Sequence, residues 1–276
     1  MPTIKRILFP VDFSGSCRGA ARYVEAFAGK FEAEVLLLHV VGMGEHNLAE
    51  ELFPQRQAQL ATFFPDSLNF ISTERCVTGE DAAATIVDTV RTWKPDLVMM
   101  PTSGLGVFHR MTVGSVAAKV LEEVECPVWT GIHAEAAPPV AGMQCHRLLC
   151  AVGLSGRSVE VLQWAAWLAG HCDARLAIVH ATAEIAVSFD GGTAEEELRQ
   201  KLSCDARAAM ESLQIAAGTA SEVFFEAGDP ADVVAKAAVK FGADLVVVGR
   251  HGENGWNVLR DSYGVLRNSP CPVISI

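Results

Sequence analysis

The chain has 276 residues, half of them hydrophobic, and its 33 acidic side chains outnumber its 22 basic ones to give a formal net charge of −11. This acidity, with no basic stripe, argues against a nucleic-acid partner, because such proteins neutralise phosphates with Lys and Arg. The apolar runs fall well short of the ~20 residues of a membrane span, and the N-terminus enters a strand-like run without a signal peptide, so we expect a cytoplasmic protein with no membrane partner.

Strands and helices alternate in the first half of the sequence. Short apolar runs predict the strands, and apolar residues three or four positions apart predict the helices. In chain order we predict a strand at 7–10, a helix at 16–28, a strand at 35–40, a polar amphipathic stretch at 45–64 interrupted by Pro54, a strand at 70–77, a helix capped by Asp81, a strand at 97–100, a helix at 115–124 and a strand at 128–132. This α/β alternation predicts a doubly wound, Rossmann-like parallel sheet.

The second half repeats the first. Four segments match in the same order: residues 7–14 with 148–155, 36–40 with 177–181, 95–100 with 243–248, and the Cys-Pro-Val at 126–128 with that at 271–273. Between the halves lies a stretch rich in Ala, Pro and Gly, which is typical of a linker. We therefore predict a first domain at 1–132, a linker at 133–145 and a second domain at 146–276.

Two loops of the first half contain residues suited to a ligand. Because ligands of doubly wound sheets bind at the carboxyl ends of strands, the loops after the first and fourth strands are the candidates. Asp12 in the first loop is suited to accept hydrogen bonds from ribose hydroxyls, although a turn or capping role is about equally expected. In the second loop Gly104 and Gly114 would let backbone amides approach a phosphate, or would serve only a turn that needs positive φ, and Ser115 opens a helix whose dipole favours an anion.

These motifs resemble the universal stress protein family in its tandem form. Its members open with a Pro-x-Asp-x-Ser pattern, here Pro10 to Ser14, and its ATP-binding branch carries Gly, two residues, Gly, nine residues and Gly-Ser. Here Gly104, nine residues and Gly114-Ser115 match, whereas Pro101 replaces the first glycine. The resemblance implies a stress-responsive protein that binds ATP, with magnesium as its counter-ion. It implies nucleotide contacts at Pro10, Val11, Asp12, Val40, Met100, Pro101, Gly104, Gly114, Ser115 and Val116.

The second half departs from this motif. Gly249-Arg250-His251-Gly252 keeps the beginning of the motif, but no Gly-Ser follows at the required spacing, and Gly153 replaces the ribose-facing Asp. We expect the second domain to be degenerate, to bind no ATP with useful affinity, and to serve assembly or partner binding. Arg250 and His251 remain candidates for holding a different anion.

Two other functions remain open. The first is a stress scaffold that binds no nucleotide, because Pro101 has no N–H to donate. The second is a weak ATP hydrolase, although no catalytic base or metal-binding constellation is recognisable, so we assign no catalytic and no metal residues. The family resemblance further implies that the last strands of the two halves pair to form an intramolecular pseudo-dimer. Protein partners are unknown, and a homodimer of the whole chain is a further alternative.

The eight cysteines form no CxxC pair and show no zinc-site spacing. We expect reduced thiols that mostly pack as small buried groups. A redox role would rest on Cys145 and Cys150, which flank the start of the second half.

Overall fold

The computed structural model describes residues 2–42, 49–64, 70–102, 113–131, 134–143, 145–154, 156–182, 193–250 and 258–276. The backbone forms two compact units, the first over Met1–Gln144 and the second beginning at Cys145. In the part of the chain just given, no helix is both long enough and apolar enough to cross a bilayer.

The first unit is a five-stranded sheet flanked by helices. Its elements are β1 (Arg6–Pro10), α1 (Gly15–Phe31), β2 (Glu34–Gly42), α2 (Ala49–Ala61), β3 (Ser72–Gly79), α3 (Ala82–Trp93), β4 (Leu97–Pro101), α4 (Ser115–Glu123) and β5 (Val128–Gly131). The strand order is β3-β2-β1-β4-β5, and all neighbours are parallel. This confirms the predicted α/β fold.

The second unit repeats the same architecture. Its elements are β6 (Arg147–Ala151), α5 (Ser158–Cys172), β7 (Arg175–Thr182), α6 (Thr193–Ala217), β8 (Glu222–Ala227), α7 (Pro230–Phe241), β9 (Leu245–Val248), α8 (Val258–Asn268) and β10 (Val273–Ser275). The strand order β8-β7-β6-β9-β10 matches that of the first unit. The duplication predicted from the sequence is therefore a duplication of fold, while the pairing of the two last strands stays a prediction.

Burial on both faces explains why the strands are continuous apolar runs. All five residues of β4 and all four of β9 are buried, as expected for a parallel sheet covered by helices on each side. The helices begin where the sequence supplies caps. The Asp81 carboxylate accepts hydrogen bonds from the N–H groups of Ala83 and Ala84, and Asp229 caps α7 in the same way.

The repeat extends to unusual backbone conformations. Phe13 and Leu154, at matched positions after the first strand of each unit, have φ of 61° and 55°. Glu32 and Asp173, which end the following helices, have φ of 51° and 54°. Non-glycine residues rarely adopt this left-handed conformation, so the two units share the same tight connections as well as the same strand order.

Two segments differ in detail from expectation. Helix α2 runs through Pro54 instead of stopping there, although an interior proline removes one backbone hydrogen bond and crowds the carbonyl group four residues before it. Short 3₁₀ turns at Ala134–Ala136 and Val140–Gly142 lie in the segment between the repeats. This segment packs on α1: the Ser16 hydroxyl donates to the Glu135 carboxylate at 3.0 Å, and the Arg22 guanidinium donates to the Ala137 carbonyl.

Candidate functional site

The strand order of the first unit reverses between β1 and β4. These strands are parallel neighbours, with Ile7 opposite Leu97 and Leu8 opposite Val98. The chain goes from β1 outward to β2 and β3 on one side, and from β4 outward to β5 on the other. The connections leaving β1 and β4 therefore diverge, and the carboxyl ends of two such strands are the usual ligand position in open α/β sheets.

Asp12 organises the turn from β1 into α1. Its Oδ1 atom accepts a hydrogen bond from the Ser14 N–H at 2.9 Å, and the Ser14 hydroxyl oxygen in turn accepts from the Cys17 N–H at 3.1 Å. The left-handed Phe13 between them makes the sharp bend. Asp12 therefore has the turn role that the sequence analysis considered beside a role in ligand binding.

The backbone of Val11 is engaged by the neighbouring strand. Its N–H donates to the Leu38 carbonyl at 2.8 Å, and its carbonyl oxygen lies 2.6 Å from Nδ1 of His39. Since a carbonyl only accepts, Nδ1 of His39 carries the proton. Val40 follows in β2 and is half-buried opposite Val77 of β3. The structure brings Pro10, Val11, Asp12 and Val40 to the ends of β1 and β2.

The end of β4 is closely packed. Met100, Pro101 and Thr102 are buried, and Pro101 is the last strand residue, opposite Gly131 of β5. The Gly114 N–H donates to the Thr102 carbonyl at 2.7 Å, which holds the start of α4 beside the end of β4. The Gly114 amide, expected to contact phosphate, therefore already has a partner within the protein.

Gly114 packs closely against the end of β4. A Cβ atom there would lie 3.1 Å from the Thr102 carbonyl oxygen, whereas its φ of −61° is open to any residue. The alternative explanation through positive φ is thus wrong for Gly114. Gly104, with the rest of 103–112, lies outside the described residues.

Helix α4 starts without a side-chain cap. Ser14 caps α1 and Asp81 caps α3, but Gly114 has no side chain to accept from the first amides of α4. The N–H groups of Ser115 and Val116 belong to the first turn, where no intrahelical acceptor exists. Ser115 is also exposed. These two amides, at the positive end of the helix dipole, are suited to an anion.

Arg56 is a residue of this edge that the sequence analysis missed. Its guanidinium carbon lies 5.5 Å from the centre of the Phe13 ring, and the ring of Phe63 packs on the same Phe13. The pKa of His39 is lowered from 6.5 by its burial first and then by the positive charge of Arg56. Arg56 comes from α2, far along the chain, and no local pattern indicates that contact.

The second unit keeps the histidine contact at the carboxyl edge of the sheet but has no counterpart of the Asp12 carboxylate. Nδ1 of His180 lies 2.8 Å from the Val152 carbonyl, as His39 does with Val11. Gly153, however, stands in place of Asp12 and is exposed. The connection from β9 to α8, residues 249–257, is shorter than that from β4 to α4, residues 102–114.

Arg250 lies at the carboxyl end of β9 and is 1% exposed. Its backbone N–H donates to the Ile276 carbonyl at 2.7 Å, which ties the connection after β9 to the end of the second unit. His251, the other residue considered for an anion, lies outside the described residues. Arg250 therefore belongs to the interior of the second unit.

The described residues contain no group of three or more His, Cys, Asp or Glu side chains arranged to hold a metal ion. The expectation that the thiols are mostly buried is wrong, because only Cys17 and Cys150 are buried. The Cys17 thiol, in the first turn of α1, lies 3.9 Å from the Pro10 carbonyl oxygen. Burial first, and the charge of Asp12 second, raise its pKa to about 12. Because the thiolate is the nucleophilic form, Cys17 is a packing residue at neutral pH.

Comparison with known families identifies the two repeats. The sequence model of the universal stress protein family matches residues 3–130 and again residues 145–276. The chain belongs to the universal stress protein family. The predicted tandem membership is confirmed, since the two matches cover nearly the whole chain.

Curated relatives match about half of the chain each. Universal stress protein A homolog 1 of Coxiella burnetii is 31% identical over 140 residues, which is 49% of this chain and 97% of the relative. A universal stress protein of Methanocaldococcus jannaschii is 27% identical over 140 residues, 45% of this chain and 79% of the relative. These relatives are therefore similar in length to a single repeat or slightly longer.

Solved structures match the whole tandem chain. A universal stress protein from Archaeoglobus fulgidus has a TM-score of 0.68 at 20% identity, over 98% of this chain and 97% of its own. A functionally unknown protein from Pseudomonas aeruginosa PAO1 has a TM-score of 0.70 at 16% identity, over 99% of this chain and 92% of its own. At these identities the likeness shows the fold.

Proposed function

We propose that this tandem universal stress protein binds an adenine nucleotide, ATP, in its first unit and acts in a stress response through that binding. The observation that carries the proposal is the meeting of the Asp12 turn and the uncapped start of α4 at the carboxyl ends of two adjacent strands. A carboxylate oxygen suited to ribose hydroxyls and amides suited to phosphate are the complementary halves of a nucleotide site.

The residues of the first unit fit such a ligand with one change from the sequence-based expectation. Asp12 places a carboxylate at the end of β1, and Ser115 and Val116 offer first-turn amides. Gly114 contributes by its small size and not by its amide, which is bonded to Thr102. Arg56, beside Phe13 and His39, adds a positive charge that would favour the phosphates. Magnesium would arrive with ATP as a counter-ion of its phosphates.

Asp12→Asn is the sharpest test. The Asn carbonyl oxygen can still accept from the Ser14 N–H, but the second position becomes an amide that donates and no longer accepts. We expect ATP affinity in isothermal titration calorimetry to fall about ten- to a hundredfold, as for loss of a hydrogen bond to a charged group. The thermal midpoint without ATP should remain close to that of the parent protein.

Asp88→Asn is the matched control. Asp88 is an exposed carboxylate on α3 that pairs with its helix neighbour Arg91, so the change removes the same charge from the same unit. It should leave ATP affinity unchanged. If both variants weakened ATP binding equally, Asp12 would act only through its net charge. If Asp12→Asn bound ATP as tightly as the parent protein, the proposed site would be contradicted.

A second candidate function, a stress scaffold without nucleotide, is favoured by one observation. Pro101 ends β4 where the family motif has glycine, and it has no N–H for a ligand. Mass spectrometry of small molecules released from the denatured full-length protein separates the two functions. Recovered ATP supports the nucleotide proposal; no nucleotide, together with no heat on titration with ATP and magnesium, supports the scaffold.

A further inference from the structure

The chain that follows the first repeat is fastened to the amino-terminal half of α1. The buried Ser16 hydroxyl donates to the Glu135 carboxylate at 3.0 Å, and the Arg22 guanidinium donates to the Ala137 carbonyl. Ala134 and Ala137 are 2% and 6% exposed. Residues 134–137, which we call the inter-repeat segment, have the composition of a linker but are a packed part of the first unit.

Gly19 allows the inter-repeat segment to approach the helix closely. A Cβ atom at this position would overlap the carbonyl group of Ala134, and the oxygen of that carbonyl accepts from the Ala137 N–H at 3.0 Å. Backbone of the segment therefore rests directly on backbone of α1. Gly19 is three positions from both Ser16 and Arg22, so the three contacts occupy neighbouring positions on the surface of the helix.

The same part of α1 is bonded to the Asp12 turn. The helix begins at the Ser14 cap, whose N–H donates to the Asp12 carboxylate and whose hydroxyl oxygen accepts from the Cys17 N–H. The Arg18 guanidinium also donates to the Phe13 carbonyl, at 2.9 Å. Because Phe13 has a left-handed φ of 61°, the turn keeps this conformation only while the contacts around it hold it. The start of α1 therefore connects Asp12 to the inter-repeat segment.

We propose that the inter-repeat segment, seated on Gly19, is a positioning element of the nucleotide site: its docking orders the start of α1 and, through it, the Asp12 carboxylate. This role depends on the proposed binding of ATP in the first unit. Because ATP and the docked segment stabilise the same turn, each favours the other, and the coupling is equal in both directions. The segment leads into the second unit, which begins at Cys145, so nucleotide binding would stabilise the connection between the repeats.

The first test is limited proteolysis of the full-length protein with a Glu-specific protease. Glu135 is exposed, but cleavage after it requires the segment to leave α1, so the rate follows the population of undocked segment. Saturating ATP with magnesium should slow this cleavage about five- to tenfold, at the lower end of typical couplings between sites. At an ATP concentration that just saturates the parent protein, Asp12→Asn should show less slowing. An unfolded peptide cleaved in the same buffer shows whether ATP inhibits the protease itself.

The reciprocal test measures ATP affinity by isothermal titration calorimetry after the segment has been displaced. Gly19→Ala should weaken ATP binding by the same factor by which ATP slows the cleavage, because linkage is symmetric. Gly29→Ala, on the same helix but with open space around its Cβ position, should leave ATP affinity unchanged. Ser16→Ala removes only the hydroxyl that donates to Glu135, so it is the milder variant and should weaken binding by a smaller factor.

The positioning role and the proposed function fail in different ways. An absence of heat when the parent protein is titrated with ATP would contradict both. ATP binding that leaves cleavage after Glu135 unchanged would overturn the positioning role alone. The same follows if Gly19→Ala is cleaved faster but binds ATP as tightly as the parent protein. Circular dichroism establishes that the variants fold, and Ser16→Ala carries the test if Gly19→Ala does not.

Discussion

At the scale of single residues, the candidate site depends on side chains that hold backbone atoms. Asp12 accepts from the Ser14 amide, and His39 donates to the Val11 carbonyl. Both contacts shape the end of β1, where the chain must turn sharply through the left-handed Phe13. His180 makes the matching contact with Val152 in the second unit. Because this contact also occurs in the second unit, which has no counterpart of Asp12, we infer that the histidine stabilises the fold and does not bind a ligand.

His39 predicts a specific pH dependence of stability. Because burial holds its folded pKa below 6.5, its contribution is fully present above the unfolded pKa of about 6.5. As the pH falls below that value the unfolded state takes up a proton that the folded state does not, and the contribution is lost as the pH falls through the folded pKa.

His39→Asn provides the comparison, because the Asn amide can still donate to the Val11 carbonyl but does not titrate. We expect the difference in free energy of unfolding between parent and variant, measured by urea denaturation, to be constant above pH 7 and to shrink from pH 6.5 downward. A difference that is flat from pH 7.5 to pH 5 would contradict this.

At the scale of elements, α1 has two packed sides. Its apolar residues Ala20, Val24 and Ala28 are buried, and its other side receives the segment from Ala134 onward. Gly19 makes that second contact possible, since a Cβ atom there would overlap the Ala134 carbonyl group. Gly29, on the same helix, has open space around the position of its Cβ.

Gly19→Ala and Gly29→Ala therefore form a matched pair. The first should displace residues 134–136 and lower the free energy of unfolding by about 1–3 kcal/mol through overpacking. The second should be neutral or raise it by up to about 1 kcal/mol, because alanine favours helix.

Urea denaturation measures the stability effect, and cleavage by a Glu-specific protease after Glu135 reports the docking. Gly19→Ala should increase that cleavage and Gly29→Ala should not. Equal cleavage rates in the two variants would mean that Gly19 does not control the docking of this segment.

At the scale of the whole molecule, the two units share one fold but differ in the residues at the carboxyl edge of the sheet. The strand orders match, as do the left-handed turns after the first strands. Two differences lie at the carboxyl edge: Gly153 stands in place of Asp12, and the connection before α8 is shorter than that before α4. A sheet buried on both faces tolerates little change, whereas its loops tolerate much.

This asymmetry predicts one nucleotide per chain. Calorimetric titration of the full-length protein should give a stoichiometry near one, and Asp12→Asn should weaken that single event. A stoichiometry of two, or a second binding event of similar affinity that Asp12→Asn leaves intact, would show that the second unit also binds ATP.

The sequence by itself determined the duplication, the α/β class and the family, because these depend on local patterns: apolar runs for buried strands, caps such as Asp81 and Asp229, and motifs at constant spacing. It also indicated which loops lie at the carboxyl edge, since strand direction follows from the βα alternation. The nucleotide contacts proposed from it remain a prediction.

Only the tertiary structure decided which groups are already engaged and which residues are neighbours. The Gly114 amide is bonded to Thr102, and Arg56 lies over Phe13. Each of these contacts joins residues from different elements. Such contacts arise when helices and strands pack together, and no local periodicity records them.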